Sequence, residues 1–112
     1  MKGARMLITT EVDEVEFWEN VVGSGFETWS WWTGWVFEDG SSWLDPGAIL
    51  IDAIDPDTGE VLATDARVSI EDMGKAYGTL VSKGYRLAWD DLDASGADCI
   101  VQQVVFGEVV FG

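Results

Sequence analysis

At 112 residues the chain has room for one domain, and folding should bury roughly 65% of the surface that the unfolded form exposes. Apolar residues make up 47%, Pro is scarce and Trp abundant, a composition opposite to that of disordered chains. With 21 acids against 6 bases, a formal net charge of −15 and no histidine, the composition argues against direct nucleic-acid binding and adhesion to anionic membranes. It also removes the commonest general base and metal ligand.

The charge is unevenly spread. Between Arg5 and Arg67 there is no Lys or Arg although most of the acids lie there, and only residues 67–86 are net positive. Residues 1–5 (MKGAR) lack the apolar core of a secretory signal, and no apolar run approaches the roughly 18 residues of a transmembrane helix. They read as a flexible tail before a single globular domain, 6–112, of a soluble, intracellular protein. Cys99, in the apolar run ADCIVQQVV, reads as a buried, inert thiol.

Residues 6–10 (MLITT) are β-branched enough for a first strand. A helix follows over about 11–22: Val12, Val15, Trp18 and Val21 or Val22 recur at helical spacing, while Glu11, Asp13, Glu14, Glu16 and Glu19 fill the other face. Thr10 suits its N-cap and Gly23 a left-handed stop. The stretch ETWSWWTGWVFEDG then changes period. Trp29, Trp31, Trp35 and Phe37 alternate with Trp32, Gly34 and Val36, which predicts a strand with a large aromatic core face, a bulge or bend at Gly34, and Trp32 on the opposite face.

Two β-branched runs, about 48–54 and 60–68, flank DPDTG, where Pro56 presets a turn and Gly59 supplies a positive φ, the pattern of a hairpin. A second helix starts from Ser69 and ends at Gly84. Val68 staples onto Met73, and Met73, Ala76, Tyr77, Leu80 and Val81 form its apolar stripe. YRLAW, residues 85–89, suits a short strand. A third helix begins after Asp93 or Ser95, with Ile100, Val101, Val104, Val105 and Val109 at its core, although the β-branched tail VVFGEVVFG also suits a strand. Segregated strands and helices predict an α+β fold, a small antiparallel sheet of about four strands covered by two or three helices.

The DPDTGE turn fails the calcium-loop pattern, which demands a third oxygen ligand, glycine at the sixth position and a bidentate Glu at the twelfth. Acid pairs such as Asp90 and Asp91 are expected by chance in so acidic a chain and read as solvated surface. No phosphate loop, dinucleotide fingerprint, nucleophile elbow or zinc-ligand cluster is present, so we expect no enzyme, no metal and no cofactor. The acidic helix face and the two tryptophans left outside the core, Trp32 and Trp43, are the candidate partner-binding residues, since exposed Trp is enriched among interface anchors.

Across LITTEVDEVEFWENVVGSGFETWSWWTGW and DCIVQQVVFGEVVFG the chain resembles small acidic proteins encoded by phages of actinobacteria. The resemblance carries over no catalytic or binding residue. It implies a viral accessory protein in the cytoplasm of a bacterial host, and it weakens a reading of the acidity as salt adaptation. The expectation is a non-enzymatic protein that binds a host protein with a basic surface, in its sharper form as a nucleic-acid mimic. The alternatives are a Trp-lined small-ligand or carbohydrate-binding module and a structural protein that self-associates, as a homodimer, through the apolar C-terminal segment.

Overall fold

The computed structural model describes residues 13–24 and 31–111. Within them the order is α1 (Glu14–Val22), β1 (Trp32–Phe37), β2 (Ala48–Ile54), β3 (Val61–Ser69), α2 (Ile70–Ser82) and α3 (Ala94–Phe106). The strands form an antiparallel meander in the order β1-β2-β3. The α+β class stands, with three described strands instead of about four. MLITT lies outside the described residues, and YRLAW is irregular. Instead of pairing, that segment presents carbonyls to side chains: Tyr77 Oη donates to Leu87 O at 3.1 Å and Asn20 Nδ2 to Trp89 O at 3.0 Å.

Local chemistry accounts for most boundaries. In the β2–β3 turn Gly59 has φ +76°, while the Asp55 carboxylate accepts from the amides of Asp57 and Thr58. The side chains of Ser69 and Asp93 accept from the amides of Asp72 and Gly96 and so cap α2 and α3, each satisfying a donor that a helix start leaves orphaned. Val68 and Met73, on either side of the Ser69 cap, are both buried. Gly84 (φ +98°) and Gly107 (φ +76°) follow α2 and α3 in the conformation that glycine adopts at least cost. α3 runs to Phe106, so the helical reading holds that far, while residues 107–111 are neither helix nor strand and Val109 falls among them.

Two expectations about the first helix need correction. Asp13, not Thr10, caps α1, its carboxylate accepting from Glu16 N at 3.1 Å. Gly23 has φ −101°, outside the left-handed region. The buried face also turns slightly from the expected one: Phe17, Trp18, Val21 and Val22 are buried and Val15 is exposed. Likewise Val81 of α2 is exposed and Tyr77 half-buried, leaving Ile70, Met73, Ala76 and Leu80 as its core stripe.

The larger correction concerns the tryptophans. Trp32 pairs with Ala53, but Gly34 pairs with Asp52 and Trp35 with Ile51, so the register slips between Trp32 and Gly34. A bulge with Thr33 as the extra residue resets the alternation. It puts Trp32, Trp35 and Phe37 opposite Ala53, Ile51 and Ile49, on one face of the sheet. That face meets the helices, and Trp32, Trp35 and Phe37 are partly buried hydrophobics packed on the core. Trp31, just before the strand, is the fully buried one; its ring stands edge-on to Phe106 of α3, centroids 5.5 Å apart, and its indole N–H donates to Asp98. Trp29 lies outside the described residues.

On the other sheet face Val36, 59% exposed, stands beside Leu50 and Arg67. β3 bends through two further irregularities, and Asp65, at φ +50°, donates its amide to the Asp52 carboxylate at 2.8 Å.

Candidate functional site

On α1, Glu14, Glu16 and Glu19 are exposed and no basic residue lies on the helix. Glu14 and Glu16 stand in the first turn, where the helix dipole favours negative charge, and Asp13 is exposed while its carboxylate caps the helix. Glu11 lies outside the described residues. The result is an outward acidic face on a helix whose opposite side is anchored in the core.

The anchor also positions the loop after β1. Trp18 is fully buried, and its indole N–H donates to Ser42 O at 2.7 Å. Ser42 and Asp45 close a tight turn by reciprocal backbone bonds and a 2.8 Å bond from Ser42 Oγ to Asp45 Oδ2. Ser41 Oγ accepts from Ala48 N at 3.0 Å, and a Cβ at position 47 would come within 2.1 Å of that oxygen, so any larger residue there must push the Ser41 side chain off this bond.

Trp43 and Leu44 project from this turn, 51% and 64% exposed. The Trp43 ring lies edge-on to Trp35 and Phe37 at 5.7 and 5.1 Å, those two are edge-on to each other at 5.0 Å, and Phe37 leans on Trp18. A continuous aromatic path therefore runs from the core at Trp18 to the surface at Trp43. Edge-to-face pairs of this kind fix ring orientation and contribute about 0.5–1.5 kcal/mol each beyond burial. Of the two candidate anchors, Trp43 is outside and held rigid, whereas Trp32 is half-buried on the helix-facing side of the sheet.

α1 and α2 enclose a groove of about 290 Å³ lined by Glu14, Phe17, Ile70, Glu71, Gly74 and Tyr77. The Phe17 and Tyr77 rings meet edge-on at 5.8 Å, and the hydroxyl bond to Leu87 O holds Tyr77 in place. Sequence spacing pointed to Val15 and Trp18 and missed Phe17. The signal was there in Phe17 and Val21, four residues apart on one helix side.

A second, polar hollow of about 300 Å³ lies against α2 and α3, lined by Arg67, Asp72, Lys75, Ala76, Thr79, Gln103 and Val104. Arg67 holds Glu38 through two contacts, 2.6 Å from Nε and 3.0 Å from Nη2. The hydrogen bond from Arg67 holds Glu38 below the usual carboxylate range, and the same bond raises Arg67.

Burial pushes the Asp98 carboxyl up while the bonds from Trp31 and Gln102 pull it down, with burial the larger influence. Burial also raises the half-buried Cys99 thiol, and the charges of Asp98 and Asp93 add to the effect, disfavouring the thiolate that a nucleophile needs. Asp90 and Asp91 are exposed. Among the described residues no group of three or more His, Cys, Asp or Glu side chains converges, and no helix is long and apolar enough to cross a membrane.

No protein-family model matches the chain, and no curated protein or solved structure is detectably similar to it.

Proposed function

We propose that this is a non-enzymatic phage accessory protein that binds a host protein through the acidic face of α1 and the Trp43 turn. The observation that carries the reading is the Trp18–Ser42 bond, which ties the turn bearing the exposed Trp43 and Leu44 to a helix whose outward residues are acids. Acids steer a basic partner and set its orientation, while a rigid aromatic supplies the desolvated centre on which affinity depends. A host protein with a basic surface is the fitting partner, and one that ordinarily grips nucleic acid is its sharpest form.

The test is capture from an actinobacterial host lysate. Retained proteins should be basic, their retention should fall steeply with salt, and Glu14, Glu16 and Glu19 changed together to Gln should abolish it. Trp43→Ala should weaken binding without unfolding the domain, because its ring is half in solvent. Capture undiminished by the Gln variant would refute the proposal.

A further inference from the structure

The groove between α1 and α2 combines two features that seldom coincide on a surface chosen only for solubility. Its floor is apolar: Phe17 and Ile70 are buried, and Tyr77 is held by its bond to Leu87 O. Its rim supplies one exposed carboxylate from each helix, Glu14 from α1 and Glu71 from α2, and no cation is among the described residues lining it. Gly74 keeps the α2 side low, since a Cβ built there meets nothing within 4 Å. At about 290 Å³ the groove lies at the bottom of the range of small-ligand pockets, the scale of one long side chain.

We infer that this groove receives an arginine side chain presented by the basic partner; the inference rests on the proposed function and names the chemistry its surface reads. An aromatic face attracts a guanidinium, which is more weakly hydrated than an ammonium and stacks on rings, while its fork of donors reaches carboxylates on either side. The arginine stem covers Phe17 and Ile70, and the head lies by Tyr77 between Glu14 and Glu71. Arg67, whose charge reaches Glu71, has its guanidinium engaged by Glu38.

The probe is Nα-acetyl-arginine methylamide, titrated at physiological salt into ¹⁵N-labelled full-length protein. Amide shifts should concentrate at Phe17, Glu71, Gly74 and Tyr77; the norleucine analogue, with the stem but no charge, should leave them unmoved, and the lysine analogue should bind more weakly. Glu14→Gln and Glu71→Gln should each weaken binding by roughly threefold to tenfold, as expected for charge-assisted contacts that are partly solvated. Gly74→Leu should fill the groove and abolish binding. Its fold is secure because the position is exposed and helical with open space around it, and retained melting temperature and circular dichroism check this. Wild-type arginine affinity in Gly74→Leu overturns the inference and leaves the acidic-face reading intact. Arginine binding at the groove together with failed host capture overturns that reading and supports the groove.

Discussion

Replacing Gln102 with methionine removes an amide whose every hydrogen-bonding direction is used, at a site with no exposure. Its Nε2 donates to Asp98 Oδ2 at 3.2 Å and to Phe111 O at 2.8 Å, and its Oε1 accepts from the amides of Val110 and Phe111 at 2.9 and 2.8 Å. Methionine preserves the length of the side chain, so the change isolates polarity. Three bonds to the backbone of the final segment are lost, each worth about 1 kcal/mol net, and leaving those groups dry would cost more. The segment escapes that penalty by lifting into water, at the expense of the Phe111 ring packed 5.8 Å from Phe106. The balance is a loss of about 2–4 kcal/mol. Gln102→Glu keeps both acceptor contacts but turns the donor side into a carboxylate facing Phe111 O and Asp98. It should therefore be the more damaging change at neutral pH and recover as acid protonates it. Urea denaturation followed by Trp emission measures the first quantity, and amide exchange at Val110 and Phe111 the second. A methionine variant within about 0.5 kcal/mol of the parent, with exchange at those amides unchanged, would refute this account of the segment.

Gly78 is exposed in α2, has open space where a Cβ would stand and does not need a positive φ, so Gly78→Ala should stabilise the protein by about 1 kcal/mol in denaturant titrations. Because burial raises Asp98, the folded state holds that proton more tightly than the unfolded chain. This stabilisation is full below the ordinary Asp pKa and is lost as pH rises through the folded-state value. The stability of the parent relative to Asp98→Asn should accordingly fall with rising pH across that window and stay flat above it, as thermal melts of both proteins will register. With its thiol raised, Cys99 should be alkylated by iodoacetamide at pH 8 more slowly than free cysteine, and urea should abolish the difference. Gly47→Ala should destabilise by more than about 1 kcal/mol, because the Ser41 side chain and the turn it braces must shift.

The hairpin at 48–68 was legible because its signals are local: Pro56 and Gly59 define the turn, and β-branched runs fill both strands. The cap at Ser69 was legible for the same reason, whereas the start of the third helix was narrowed only to Asp93 or Ser95, of which Asp93 is the cap. Thr33 defeated the reading of the tryptophan strand. Gly34 signalled a bulge or bend there, but which residue is the extra one, and so which face each later side chain takes, is visible only through the partner strand. Tyr85–Trp89 has strand composition but pairs with neither edge strand of the sheet, and its carbonyls serve instead as acceptors for α1 and α2 side chains. Gln102 lay hidden in an apolar run, since a polar residue there looks like surface until the chain folds back onto it. As for the site, the acids of α1 followed from spacing, while alternation and turn position set Trp32 and Trp43 apart together and only the fold separates the exposed Trp43 from the half-buried Trp32. The groove did not, because it needs Glu14 and Glu71 from two helices far apart in sequence.

The meander has a kinetic corollary. Each strand pairs with the next in sequence, so the sheet can be assembled by closing short loops, a low entropic cost that favours rapid formation. The contacts that seal the helical layer are of another kind: Trp31 reaches Asp98 and Asn20 reaches Trp89 across most of the chain. The hairpin should therefore form first and the burial of Trp31 last. The Trp31 indole would then report the final step of folding, while the acidic helix stays tethered loosely until that step is complete.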